Sequence, residues 1–201
     1  MRVAPVRGKG KRFSSPLLPL WAVTVAALLT ACTSADSPTP PETRTGFPYV
    51  DAVIDAALSA DPRALRSLIH LSPLPCTTRE GLGGPPKCLP GEANGTEVEA
   101  LPVLGSEGGH MRLPEVDAWG GPGPAELYGV YRTGPDTYSD ESYPAGEFAV
   151  ILILQESGGT VTLQVTRDGI VRIDYGFGPT IDEMFQQYGA DFILGPFPPP
   201  Q

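Results

Sequence analysis

Three side chains in one short stretch could carry chemistry: Glu107, His110 and Arg112, placed in and just after the turn Gly105-Ser106-Glu107-Gly108-Gly109. A histidine beside a carboxylate is the smallest pair that can pass a proton at neutral pH, and a guanidinium adds a fixed positive charge. Glu92 and Glu97 join them if the preceding loop folds back, so a hydrolytic reading uses His110 with Glu107 or Glu92. The bland alternative is a solvated surface, because five polar residues on successive loops need no function to explain them. A second polar group, Asp136, Tyr138, Asp140, Glu141 and Tyr143, could grip a cation or a sugar, yet it lacks the alternating ligands of a calcium loop.

Other chemistry is missing from the pattern. The chain holds two histidines, no Ser in a Gly-x-Ser-x-Gly elbow, no Gly-x-x-x-x-Gly-Lys phosphate loop and no paired-His metal helix. No catalytic residue, cofactor or metal follows from the sequence, and Glu107, His110 and Arg112 stand as a ligand-binding candidate only.

The elements that must position these residues are patterned more clearly. Val50, Val53, Ile54, Ala57 and Leu58 recur on one helical face, and Asp61-Pro62 reads as an N-cap with Pro at the first helical position. That second helix carries Leu65, Leu68 and Ile69 and ends at His70, where a cation suits the last carbonyls. Residues 72–94 form a Pro- and Gly-rich loop. Strands follow over Thr96 to Leu104, His110 to Leu113 and Ala125 to Thr133, with a helical turn over Pro114 to Trp119. Phe148 to Leu154 is an unbroken apolar run, as expected of an interior strand buried on both faces.

Register can be read from the next hairpin. Val161, Leu163 and Val165 must share a face with Val171, Ile173, Tyr175 and Phe177. A two-residue Asp168-Gly169 turn separates the sets, whereas a three-residue loop ending in a G1 bulge at Gly169 pairs Val165 with Val171 and Leu163 with Ile173. Thr180-Ile181-Asp182-Glu183 is a capping box for a last helix burying Ile181, Met184, Phe185 and Tyr188. The expected fold is α+β: an N-terminal helix pair and a C-terminal helix packed on an antiparallel sheet. A helix pair followed by curved strands resembles the nuclear-transport-factor-like or cystatin-like superfamily, and the resemblance implies a pocket between helix and sheet.

The beginning of the chain addresses location. Arg2, Arg7, Lys9, Lys11 and Arg12 precede an apolar stretch from Leu17 to Ala31, too short to span a bilayer comfortably. Leu29-Thr30-Ala31-Cys32 then resembles the lipobox of bacterial lipoproteins. The resemblance implies a diacylglyceryl group on Cys32, cleavage before it and a second acylation; two chains anchor a protein effectively for good. An ordinary signal cut near Ala35, or an uncleaved anchor, is the alternative, and the bulky Leu29 speaks against the former. Spending Cys32 on lipid leaves Cys76 and Cys88 as an even pair outside the cytoplasm, which reads as a disulfide. A metal pair or a nucleophilic thiol is the other possibility, but eleven intervening residues do not match short zinc spacings and no nearby His completes a set.

Three parts result: a signal peptide over 1–31, a lipidated Pro/Ser/Thr-rich tether over 32–46 and one ectodomain over 47–197. The whole chain has a net charge of −9, and removal of 1–31 leaves nine Lys and Arg against 23 Asp and Glu, a net −14. Such a surface is a poor partner for nucleic acid, which rewards positive charge. The expected function is a non-enzymatic, extracytoplasmic binding module at the cell envelope. It touches the membrane through its lipid anchor and takes an envelope protein, a polymer or a small ligand. A small-molecule carrier and a hydrolase using His110 are the alternatives.

Overall fold

A computed structural model describes residues 44–105, 107–135, 137–176 and 191–197. The lipobox with Cys32, most of the tether and the whole C-terminal capping box and helix lie outside the described residues. Helix α1 spans Pro48–Leu58 and buries Val50, Val53, Ile54 and Ala57. Thr45 latches its first turn, its backbone N–H and its hydroxyl each donating to Asp51 Oδ1 at 2.8 Å. Leu58 does not follow its stripe and is exposed. The chain leaves α1 there through Ser59 and Ala60, and Leu65 from the next helix takes the inward place.

Helix α2, Pro62–Arg66, starts as read, with Asp61 Oδ1 accepting the Arg63 N–H at 2.9 Å. It is shorter than the pattern implied. Leu68 and His70 instead pair by backbone with Ile170, through Ile170 N–H to Leu68 O at 2.7 Å and His70 N–H to Ile170 O at 2.9 Å. His70 therefore extends a strand edge rather than closing a helix.

The remaining elements are β1 (Ser72–Pro75), β2 (Glu97–Leu104), β3 (Gly109–Arg112), α3 (Leu113–Ala118), β4 (Ala125–Arg132), β5 (Phe148–Leu154), β6 (Thr160–Thr166), β7 (Gly169–Gly176) and β8 (Phe192–Leu194). The fold is α+β, with all eight strands of the described residues in one sheet ordered β1-β2-β7-β6-β5-β4-β8, β3 also pairing with β2. The sheet is mixed, which corrects the antiparallel expectation: β2 meets β7 in parallel over Val103–Ile173 and Leu104–Asp174. The two strands are joined by the whole β3-to-β6 excursion and not by a hairpin, so nothing forces them to run in opposite directions.

Strand β5 lies between β4 and β6 and is buried on both sides, as its composition implied. Val150 and Leu152 face α1 in a core with Val53, Ile54, Leu163 and Ile173. Ala149, Ile151 and Ile153 face away, against Tyr128, Tyr131 and Phe192. At the β6–β7 hairpin Leu163 pairs with Ile173 as the apolar sets require, but Val165 pairs with Ile170 and Thr166 with Gly169. The extra residue sits two positions inside the strand, at Val171, not at Gly169. Gly169 is still obligatory, because its φ of 132° is unsuited to other residues and a Cβ there would lie 2.2 Å from Leu68 O.

Candidate binding site at strand β3 and the disulfide loop

The loop between β1 and β2 is held from within. Cys76 and Cys88 form a disulfide with Cα atoms 5.0 Å apart. Backbone bonds from Thr77 N–H to Pro86 O at 2.8 Å and from Cys88 N–H to Thr77 O at 3.0 Å knit the same stretch. Glu92 closes it: one carboxylate oxygen accepts the Leu89 N–H at 2.7 Å, and the pair grips Arg112 at 2.8 and 2.9 Å. This two-point contact with the guanidinium holds the Glu92 carboxyl below the usual carboxylate range, with the Leu89 amide as the next cause. The sulfurs of Cys76 and Cys88 and a Glu92 oxygen lie within 4.8 Å of one another, but the sulfurs are bonded together and offer a metal no thiolate.

Of the three residues singled out from the sequence, the structure joins none to another directly. Arg112 takes Glu92 as its partner. His110 turns to the 134–146 loop, where its Nε2 lies 2.9 Å from Ser142 O and its ring packs on Tyr143 with centroids 4.9 Å apart. Burial lowers its pKa, favouring the neutral ring. Glu107 is exposed and, among the described residues, makes no ion pair with either. Glu97 is exposed at the far end of β2. Asp140, offered above as a cation ligand, spends its oxygens on its own turn, accepting the Ser142 and Tyr143 N–H groups at 2.8 Å and the Tyr138 hydroxyl; Asp136 lies outside the described residues.

Tyr143 is where three segments meet. Its hydroxyl donates to Gly84 O at 3.2 Å on the disulfide loop, its ring supports His110, and a Cβ on Gly108 would come within 3.0 Å of its oxygen. The 134–146 loop is held to the sheet by Arg172, a fully buried arginine that sequence reading missed. Its guanidinium donates to Tyr138 O and Tyr143 O at 2.9 and 2.7 Å and to both oxygens of Asp174 at 2.7 and 3.0 Å. Gln164 completes the group, donating to Asp174 at 3.1 Å and accepting the Gly146 N–H at 3.1 Å. The only signal in the chain was an Arg and a Gln at facing positions of the hairpin, and that also describes a solvated face.

Two cavities open beside this assembly and share Leu89, Arg112 and Glu115. One, of about 370 Å³, lies between the disulfide loop and Gly109, His110 and Arg112. The other, of about 490 Å³, is lined by Glu99, Leu113 and Pro114 as well. Leu82, Leu89 and Leu113 stand on their rims, 73%, 54% and 56% exposed. A third cavity, about 240 Å³, is bounded by Ala57, Pro62, Leu65 and the Gly121-to-Pro124 loop. Among the described residues no helix is long and apolar enough to cross a membrane. Compared with protein-family models, with curated proteins and with solved structures, the chain matches none of them.

Proposed function

We propose that this chain is a lipid-anchored extracytoplasmic protein, attached through Cys32, whose ectodomain is a non-enzymatic binding module. The observation that carries the reading is the grouping around two cavities of Leu82 and Leu89, on and just after the loop closed by the disulfide, with Leu113 at the start of α3. Exposed leucines cost nothing where they are scattered, but a cluster beside a preformed groove marks a contact surface. The disulfide itself supports an oxidising compartment, in keeping with the lipobox.

The hydrolase reading draws less support. His110 Nε2 is engaged by a main-chain carbonyl, and Glu92 is occupied by Arg112, so neither is poised as the other's partner. The carrier reading needs space between helix and sheet, and on the α1 side that space is filled by Val50, Val53, Ile54 and Leu65.

Growth of the native bacterium with an alkyne-bearing palmitate tests the anchor. Label should enter the chain and disappear in Cys32→Ala; an unlabelled wild-type chain refutes the anchor. Turnover of ester, amide or glycoside substrates that is lost in a folded His110→Ala variant refutes the non-enzymatic part.

A further inference from the structure

We propose that the outer edge of β3 takes an extended segment of a partner protein as an added strand, with apolar residues at alternating positions and a Lys or Arg toward Glu99 and Glu115. The inference rests on the binding-module reading and names the partner's chemistry.

The backbone carries it. Arg112 lies opposite Ala100 on β2, yet its N–H donates to Glu115 Oε2 at 2.8 Å. That amide therefore faces away from β2, and so does the amide of His110 two residues earlier on the same extended strand. Pro102, opposite His110, has no N–H to offer, which agrees with this phase. Among the described residues β2 is the only strand paired with β3. Edge positions elsewhere are blunted: β1 carries Pro73 and Pro75, and β8 is three residues long. Glu115 occupies the Arg112 amide, so pairing centres on the N–H and C=O of His110.

Side chains and charge select what can dock there. Successive same-side residues of a strand are roughly 7 Å apart. The two cavities share Leu89, Arg112 and Glu115, Leu82 lines only the first and Leu113 only the second, and each can seat one such residue. Arg112 is already matched by Glu92, so the charge the second cavity offers a ligand is that of Glu99 and Glu115. A cation complements it, in a chain whose net charge is −9. The groove is preformed, because the disulfide and the Thr77 backbone bonds fix its far wall, and less ordering free energy opposes association.

Random nonapeptides displayed on phage, selected against the full chain in nonionic detergent, test the proposal. The best peptides are then synthesised with one backbone amide methylated at a time, which leaves the protein untouched. Enriched peptides should alternate apolar and polar residues and carry a Lys or Arg near one end. N-methylation should weaken binding about tenfold at the one amide that meets His110 C=O and little at its neighbours, as loss of one interstrand bond requires. Leu89→Asp and Leu113→Asp, checked for an intact fold, should each weaken binding at least tenfold. Peptides that need the leucines but are indifferent to N-methylation overturn strand addition and leave the binding surface standing. Absence of enrichment, or attachment of the chain to phosphatidylglycerol vesicles through the same leucines with no peptide bound, overturns the proposal while the palmitate result stands by itself.

Discussion

Exchange of Arg172 for Met removes a guanidinium that is 2% exposed while keeping most of its volume. Its loss takes the donor from Tyr138 O, leaves Tyr143 O with only the longer bond from Asp140 N–H at 3.3 Å and takes two bonds from Asp174. A buried carbonyl that loses its donor costs about 1–3 kcal/mol, and at Tyr138, which is exposed, water recovers part of that. Asp174 is 23% exposed and keeps Gln164, so water recovers much of its share. The sum falls within the ~3–5 kcal/mol typical of breaking one side of a buried pair. Opening of the 134–146 loop offers an escape from this cost, so the damage should be local before it is global.

Urea unfolding followed by tryptophan fluorescence gives the total, and hydrogen exchange across residues 137–147 gives the local part. Exchange should accelerate there and around His110, which loses its Ser142 contact, and little in β5. Arg172→Met with Asp174→Leu should be less damaging than Arg172→Met alone, since no unmatched carboxylate remains. A loss under ~1 kcal/mol with unchanged exchange in the loop would refute the assignment of Arg172 as its clamp.

Replacement of both Cys76 and Cys88 by Ala should lower stability by about 3 kcal/mol in the chain-entropy view, measured by urea unfolding with and without reductant; a wild-type chain indifferent to reductant contradicts it. Gly169→Ala should destabilise by roughly 2–4 kcal/mol, combining backbone strain with the clash against Leu68 O, and a neutral result in thermal unfolding would mean the 68–70 segment is not seated there. His110 has a folded-state pKa below its ordinary 6.5, so the unfolded chain binds the extra proton first. Its contribution to stability is therefore complete above that value and declines as pH falls below it, and His110→Gln should flatten the unfolding midpoint between about pH 7 and pH 5 relative to wild type.

The parts legible in the sequence are those where one local rule decides. Asp61-Pro62 starts a helix, Phe148 to Leu154 can only be an interior strand, and the apolar sets of β6 and β7 demand one extra residue near their turn. Where that residue goes was not legible, because the choice between Gly169 and Val171 depends on Leu68 O and the backbone of residues 68–70. Strand β1 was hidden inside a Pro-rich loop, and its ladder with β2 is long-range. At the site, Arg112 and Glu92 were in view, but their pairing depends on how the disulfide loop returns. Arg172 was invisible for a simpler reason: a charged residue alternating with Val171 and Ile173 looks the same whether water or a loop covers it.

Both ends of the described chain are fastened to β4 and β5. Phe47 stacks on Phe148 with centroids 4.6 Å apart, Arg132 lies 4.7 Å from the Phe148 ring, β8 pairs with β4, and the Phe197 N–H donates to Tyr128 O at 2.7 Å. A pull applied between residues 44 and 197 is thus borne by β4 and β5. Strand β3 and the disulfide loop sit at the opposite margin of the sheet, and the loop between β4 and β5 reaches them through His110 and Tyr143, so a load on the ends has one direct route to the groove.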